Sequence, residues 1–340
     1  MTSAAGSGAG RRRVVEGYGR TMDALDRVPR LELAGRPTPL ERHDRLAEAI
    51  GLLAGQLYVK RDDLTRFAGG GNKARKLDFL LADAMALGHD TVVTGGAVQS
   101  NHVRMTAAAA AASGLQCVAV LGGSLPEVPE GNLVLDHLFG AEVVSTGGEY
   151  GDDVEGAISA VAAERSAYPV PLGGSSPVGA LGYVVAADEI DADAPTDALV
   201  VHAEGSGGTH AGFVAGFGDH ARVTAVDVGA VSGVAEKVTR LAAETAQLAG
   251  RSAPTGDVQV LRGHVGERYG APTDGARAAI RVMARTAGLV LDPVYSGKAF
   301  AGLMAEAAAG RLTDRPIVFV HTGGMPALFT RRFAGWLTEE

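Results

Sequence analysis

Short runs of β-branched and other apolar residues alternate with longer alanine-rich segments of helical period along almost the whole chain. That alternation predicts an α/β protein of mostly parallel sheets joined by crossover helices. The runs Leu57–Lys60, Thr91–Thr94, Cys117–Leu121, Val143–Ser145, Ala198–His202, Val223–Val228 and Ile317–His321 read as strands. Lys73–Leu87, Ser100–Ala112, Asn132–Phe139, Asp153–Glu164, Val234–Ala249 and Asp274–Thr286 read as helices. Glycines gather where strands give way to helices, at Gly69-Gly70-Gly71, Gly95-Gly96, Gly122-Gly123, Gly173-Gly174, Gly205 through Gly208 and Gly323-Gly324. In open α/β sheets the carboxyl ends of strands are where ligands bind. The acidic stretch Asp188–Asp197 reads as a solvent-facing connection between two lobes.

With 340 residues the chain exceeds one average domain. The expected division is a tail at 1–13, a large domain of 14–75 plus 188–340, and a smaller domain of 76–187. A net charge of -8 argues against nucleic acid and against a polybasic membrane surface. No stretch approaches the ~18 apolar residues of a membrane-spanning helix. Met1–Arg13 is rich in Gly, Ala and Ser and lacks the apolar segment of a secretory signal, so a disordered tail and a cytoplasmic location are expected. The single cysteine, Cys117, lies in an apolar run; it excludes a disulfide framework or cysteine-rich metal site and reads as a buried structural thiol.

Lysine is scarce, with only Lys60, Lys73, Lys76, Lys237 and Lys298. Lys73 follows Gly69-Gly70-Gly71-Asn72 and opens a helical pattern, where the helix dipole disfavours its charged form. A lowered lysine pKa suits covalent capture of a carbonyl, whereas a plain glycine turn with a solvated lysine is the bland reading. A second motif, Glu204 to Gly212, stands between an apolar strand and a helix. The amides and hydroxyls of Gly205, Ser206, Gly207, Gly208 and Thr209 could there cradle a phosphate. A dinucleotide site is the rival, because Asp227 ends the next strand, but the six-residue glycine frame from Gly205 ends on His210 and the frame from Gly207 has Thr209 second. A monophosphate fits better.

Gln99, Ser100, Asn101 and His102 form a polar run at another strand end, suited to a ligand or, more simply, to a helix cap. Tyr295, in Leu291 to Lys298, could stack on a flat ring, and Ser296 and Thr322 could each offer a hydroxyl to a ring nitrogen. Each of these alone is more often structural. Arg61-Asp62-Asp63 reads as an ion pair or turn, and no carboxylates stand at metal-ligating spacing.

Taken together, Gly70 to Leu77, Gln99-Ser100-Asn101-His102, Gly205 to Thr209, Val294 to Lys298 and His321-Thr322-Gly323-Gly324 resemble the D-cysteine desulfhydrase and 1-aminocyclopropane-1-carboxylate deaminase family, from about Leu31 to the C-terminus. The resemblance implies the tryptophan-synthase-β-like fold of pyridoxal-phosphate enzymes (fold type II), a homodimer and a small amino-acid substrate. On that match Lys73 would carry pyridoxal 5′-phosphate, next to Asn72. Asn101 would bond the cofactor's phenolic oxygen, and Ser100 would hold the substrate carboxylate or shuttle a proton, with Gln99 and His102 beside it. The phosphate would lie in Gly205–Thr209, while Tyr295 and Tyr269 would reach the ring or the substrate. The ring-opening deaminases are expected to carry glutamate and leucine where this chain has Ser296 and Thr322. Hydroxyl partners leave the pyridine largely neutral, which favours simple β-elimination of D-cysteine to pyruvate, sulfide and ammonia. L-Cysteate sulfo-lyases share the pattern, so sulfite stays open as leaving group. An NAD-dependent oxidoreductase and a non-catalytic ligand-binding protein are the alternatives of other classes.

Overall fold

The computed structural model describes residues 24–147, 152–312 and 315–339, so the tail at 1–13 lies outside it. The strands are β1 (Leu40–Arg42), β2 (Leu57–Lys60), β3 (Thr91–Ala97), β4 (Gln116–Gly122), β5 (Glu142–Ser145), β6 (Tyr168–Pro169), β7 (Leu199–Glu204), β8 (Val223–Asp227), β9 (Gln259–Leu261) and β10 (Ile317–Val320). They form two sheets, one ordered β1-β2-β10-β7-β8-β9 and the other β5-β4-β3-β6. Only β1 runs antiparallel to its neighbour.

The helices are α1 (Asp44–Ala49), α2 (Lys73–Ala86), α3 (Asn101–Ser113), α4 (Asn132–Leu138), α5 (Asp152–Arg165), α6 (Pro177–Asp193), α7 (Gly208–Phe217), α8 (Val234–Leu248), α9 (Asp274–Ala287), α10 (Ser296–Ala308) and α11 (Arg331–Thr338). The β10 sequence Ile-Val-Phe-Val is buried throughout, as a central parallel strand covered on both faces requires. The six-stranded sheet packs Leu57, Val59, Phe300 and Phe319 on one side and Val200, Phe213, Val214 and Val318 on the other. The smaller sheet buries Val92 and Leu121 together with Leu77 of α2 and Val103 of α3. Among the described residues no helix is long and apolar enough to cross a membrane.

The acidic stretch differs from expectation. Its first half, through Asp193, is the last turns of α6 rather than a connection. Glu189 does not face solvent: its carboxylate meets Arg75 at 2.8 Å and Lys60 at 2.8 Å. Arg75, fully buried, also binds Asp62 at 2.8 Å, and the Tyr183 hydroxyl donates to Asp62 at 2.7 Å. A buried cation needs such partners, and α6 supplies one of them.

Candidate active site

A cavity of about 740 Å³, counting its open mouth, lies where β3 and β7 end and where α2, α3 and α7 begin. Lys73, Asn72, Ser100, Asn101, His102, Gly205, Ser206, Gly207, Thr209, Tyr269, Tyr295 and Thr322 all line it, so six segments separated in sequence meet at one place.

Lys73 opens α2, and its Nζ donates to Asn72 Oδ1 at 3.0 Å, while Asn72 Nδ2 donates to Thr209 Oγ1 at 3.2 Å. The lysine is thereby linked to the glycine turn. Burial lowers its pKa to about 8, with Asp292 and Glu204 opposing and the Arg104 cation assisting. Desolvation, rather than the helix dipole invoked from the sequence, is the leading cause. Lys76, one turn on and fully buried, is pushed well below the ordinary lysine value by burial and by Lys73. Its Nζ donates to Gly173 O at 3.0 Å.

The turn Gly205–Thr209 closes against a second glycine pair. Ser206 Oγ and Ser175 Oγ lie 2.7 Å apart, and Gly208 N donates to Ser175 Oγ at 3.1 Å. A Cβ on Gly173 would stand 2.1 Å from Ser206 Oγ, and one on Gly208 2.5 Å from Ser175 Oγ and 2.8 Å from Lys76 Nζ. Only glycine lets the two turns approach into a cup of amides and hydroxyls, with the Lys76 amine behind it, which is a donor set a phosphate monoester takes. With a lysine of lowered pKa at its edge, this cavity fits pyridoxal phosphate. Asp227 does not line it; its carboxylate accepts the Gly229 N–H at 2.8 Å and faces Arg262, so the dinucleotide reading loses its ribose partner.

On the opposite sheet Ser100 caps α3, accepting the Val103 N–H at 3.3 Å. Asn101 Oδ1 takes Asn132 Nδ2 at 3.1 Å and Arg104 Nη2 at 3.4 Å. His102 Nε2 is held by Thr94 Oγ1 at 2.8 Å, and burial, then Lys73 and Lys76, keep the ring neutral. The hydroxyls of Tyr269 and Tyr295 hydrogen-bond to each other. Tyr269 comes from a segment outside helix and strand, tied to α10 by Lys298 Nζ donating to Val265 O at 2.7 Å.

Three residues expected at the site are placed elsewhere. Gln99 spends its amide on the 130–132 turn, donating to Glu130 O and accepting from Asn132 N, each at 2.9 Å. Ser296 is fully buried, its Oγ donating to Asp292 Oδ1 at 2.6 Å and accepting the Asp292 N–H at 2.8 Å. Gly208 is turned toward Ser175 and lies behind the cavity wall. Conversely, Glu204, Gly173 and Ala230 line the cavity without having been given a role. The clustering of glycines at 173–174 is the sequence signal that points to Gly173.

The pyridoxal-phosphate dependent enzyme family model matches residues 31–323. The D-cysteine desulfhydrase of Yersinia enterocolitica is 44% identical over 321 residues, covering 90% of this chain and 96% of that protein. Its counterpart in Salmonella choleraesuis is 42% identical, covering 90% and 97%. A crystal structure of an ACC deaminase homologue superposes with a TM-score of 0.82 at 35% identity, covering 92% and 97%. A lysine in a buried phosphate-cupped cavity and these similarities lead to one conclusion: the chain belongs to the pyridoxal-phosphate dependent enzymes of the tryptophan-synthase-β-like fold, with pyridoxal 5′-phosphate as its cofactor.

Proposed function

We propose that this enzyme is a D-cysteine desulfhydrase, a carbon–sulfur lyase converting D-cysteine and water to pyruvate, hydrogen sulfide and ammonia. The observation that carries the reading is Lys73, an amine of lowered pKa on the wall of a cavity with a phosphate cup. The 42–44% identity to D-cysteine desulfhydrases supports the substrate. Bound cofactor supplies the electron sink for the pair left when the Cα–H bond breaks.

The protein supplies grip and proton traffic. Lys73 would hold the cofactor, and its amine, when free, would take the Cα proton; a value near 8 leaves that amine competent as a base at neutral pH. Asn101 has its carboxamide oxygen occupied by Asn132 and Arg104, which leaves its N–H groups for the phenolic oxygen. Ser100 accepts at its cap and keeps its O–H to donate to the substrate carboxylate. The paired hydroxyls of Tyr269 and Tyr295 protonate the departing sulfur. The cavity-lining Gly205, Ser206, Gly207 and Thr209 take the phosphate, with the Lys76 amine behind the turn. Thr322, on the wall where Ser296 is not, is the hydroxyl for the ring nitrogen. A homodimer and a cytoplasmic location complete the reading, supported by the family resemblance.

The test is pyruvate release from D-cysteine, L-cysteine, L-cysteate, D-serine and 1-aminocyclopropane-1-carboxylate in parallel, with sulfide measured alongside. D-Cysteine should lead. A lead by the cyclopropane substrate would favour the ring-opening reading that the ACC deaminase homologue supports.

A further inference from the structure

The turn assigned to the phosphate has a carboxylate beneath it. Glu204 ends β7, is 1% exposed, and folds back under the residues that follow. Its Oε1 accepts the Gly207 N–H at 3.0 Å, and its Oε2 meets Nδ1 of His210 at 2.8 Å. His210 is fully buried on α7, edge-on to the His202 ring at 5.3 Å. An acid is an unfavourable neighbour for a phosphate dianion in a dry site, so its presence calls for a reason.

A metal is one candidate, since His202, Glu204 and His210 offer ligand atoms within 4.8 Å of one another. Both Glu204 oxygens already accept hydrogen bonds, however, and a cation would have to displace those donors. The geometry favours a brace. Gly207 is in the left-handed region at φ +91 and occupies the cap position of α7. By taking the Gly207 N–H inward, Glu204 fixes the plane of the preceding peptide. That in turn sets Ser206, whose hydroxyl meets Ser175 across the cup.

We propose that Glu204, backed by His210, is a positioning residue that pre-shapes the Gly205–Thr209 turn for the phosphate, and that its acceptor oxygen rather than its charge does so. The proposal rests on the reading that the phosphate lies in this turn. Glu204→Gln keeps an acceptor for Gly207 and a polar partner for His210 while removing the charge. Two consequences of losing that charge oppose each other: repulsion of the phosphate falls, and Lys73 and Lys76 lose an anion that raises their proton affinity. Glu204→Ala and the similarly long Glu204→Met remove the acceptor.

The experiment titrates cofactor-free protein with pyridoxal phosphate, with inorganic phosphate as competitor, and with pyridoxal, which lacks the phosphate. The alanine and methionine variants should bind pyridoxal phosphate and phosphate about tenfold more weakly, the worth of one buried hydrogen bond. Their affinity for pyridoxal should equal that of Glu204→Gln, which loses the same charge, and Glu204→Gln should bind pyridoxal phosphate within about threefold of the unaltered protein. Equal weakening toward pyridoxal, a glutamine variant as weak as alanine, or unchanged binding by both truncations would each overturn the proposal. If alanine fails to fold, methionine and glutamine decide it by the same comparison. Failure of the unaltered protein to bind pyridoxal phosphate would overturn the cofactor reading beneath it.

Discussion

Cofactor-free enzyme should capture pyridoxal phosphate on Lys73 at a rate that rises with pH around a midpoint near 8, because only the neutral amine attacks a carbonyl. The magnitude follows from the burial of that amine. At pH 7.5 a lysine of pKa about 8 is about one-quarter neutral, whereas one at the ordinary 10.5 is about one part in a thousand neutral, a difference of about 240-fold in reactive species. Asp292 opposes the shift, so Asp292→Asn, which keeps one oxygen for the Val294 and Tyr295 amides but loses the acceptor of the Ser296 N–H, should move the midpoint lower. The assay mixes protein and cofactor across pH 6 to 10, traps the adduct with borohydride at timed intervals, and locates it by peptide mass. A midpoint near 10, or an upward move in Asp292→Asn, would refute the electrostatic account. An adduct on Lys60, Lys76, Lys237 or Lys298 would refute the assignment of the lysine itself.

Two further outcomes concern the scaffold. Arg75→Met should lower stability by about 3–5 kcal/mol in urea unfolding, since it leaves Asp62 and Glu189 without their shared buried cation. Asp136 has neither carboxylate oxygen hydrogen-bonded, and burial raises its pKa from 3.8 to about 7 against the pull of Arg104. The folded chain therefore holds a proton there that the unfolded chain releases, and stability falls as pH rises from about 4 through 7. Asp136→Asn should melt like the parent at pH 4 and be more stable at pH 8, by up to about 4 kcal/mol. Asp78, raised to about 6, leaves a residual slope of the same sign.

The strands β2, β3, β4, β5, β7, β8 and β10 and the helices α2, α3, α4, α5, α8 and α9 were legible from their own periods, whereas the short β1, β6, β9, α1 and α11 carry too few residues to show one. β3 and β7 run two residues or more beyond their apolar runs, into Gly95-Gly96-Ala97 and Ala203-Glu204, since parallel pairing continues where side-chain hydrophobicity stops. The helices α6, α7 and α10 are apolar on nearly every face over much of their length and carry glycine, which erases the 3.6-residue signal. At the site, Lys73, Asn101 and the Gly205–Thr209 turn were visible as polar or glycine residues at strand ends. Ser296 could not be placed, because adjacency to Tyr295 says nothing of direction; as the first residue of α10, its side chain turns back to Asp292. Glu189 was misread because a charge in an acidic stretch gives no sign of a buried arginine 114 residues away.

The position of β10 sets an order on synthesis. It pairs in register with β2 on one side and β7 on the other, so the centre of the large sheet is supplied by the last strand to be made. The segment beyond it brings Thr322, whose carbonyl accepts the Asn72 N–H beside Lys73. On the ribosome, β2 and β7 must therefore wait with exposed edges until residues 317–322 emerge, a long-range closure of the kind that slows folding and invites aggregation. Lys73 would leave the tunnel hundreds of residues before its pocket has a wall, so cofactor loading belongs to the finished chain and not to the nascent one.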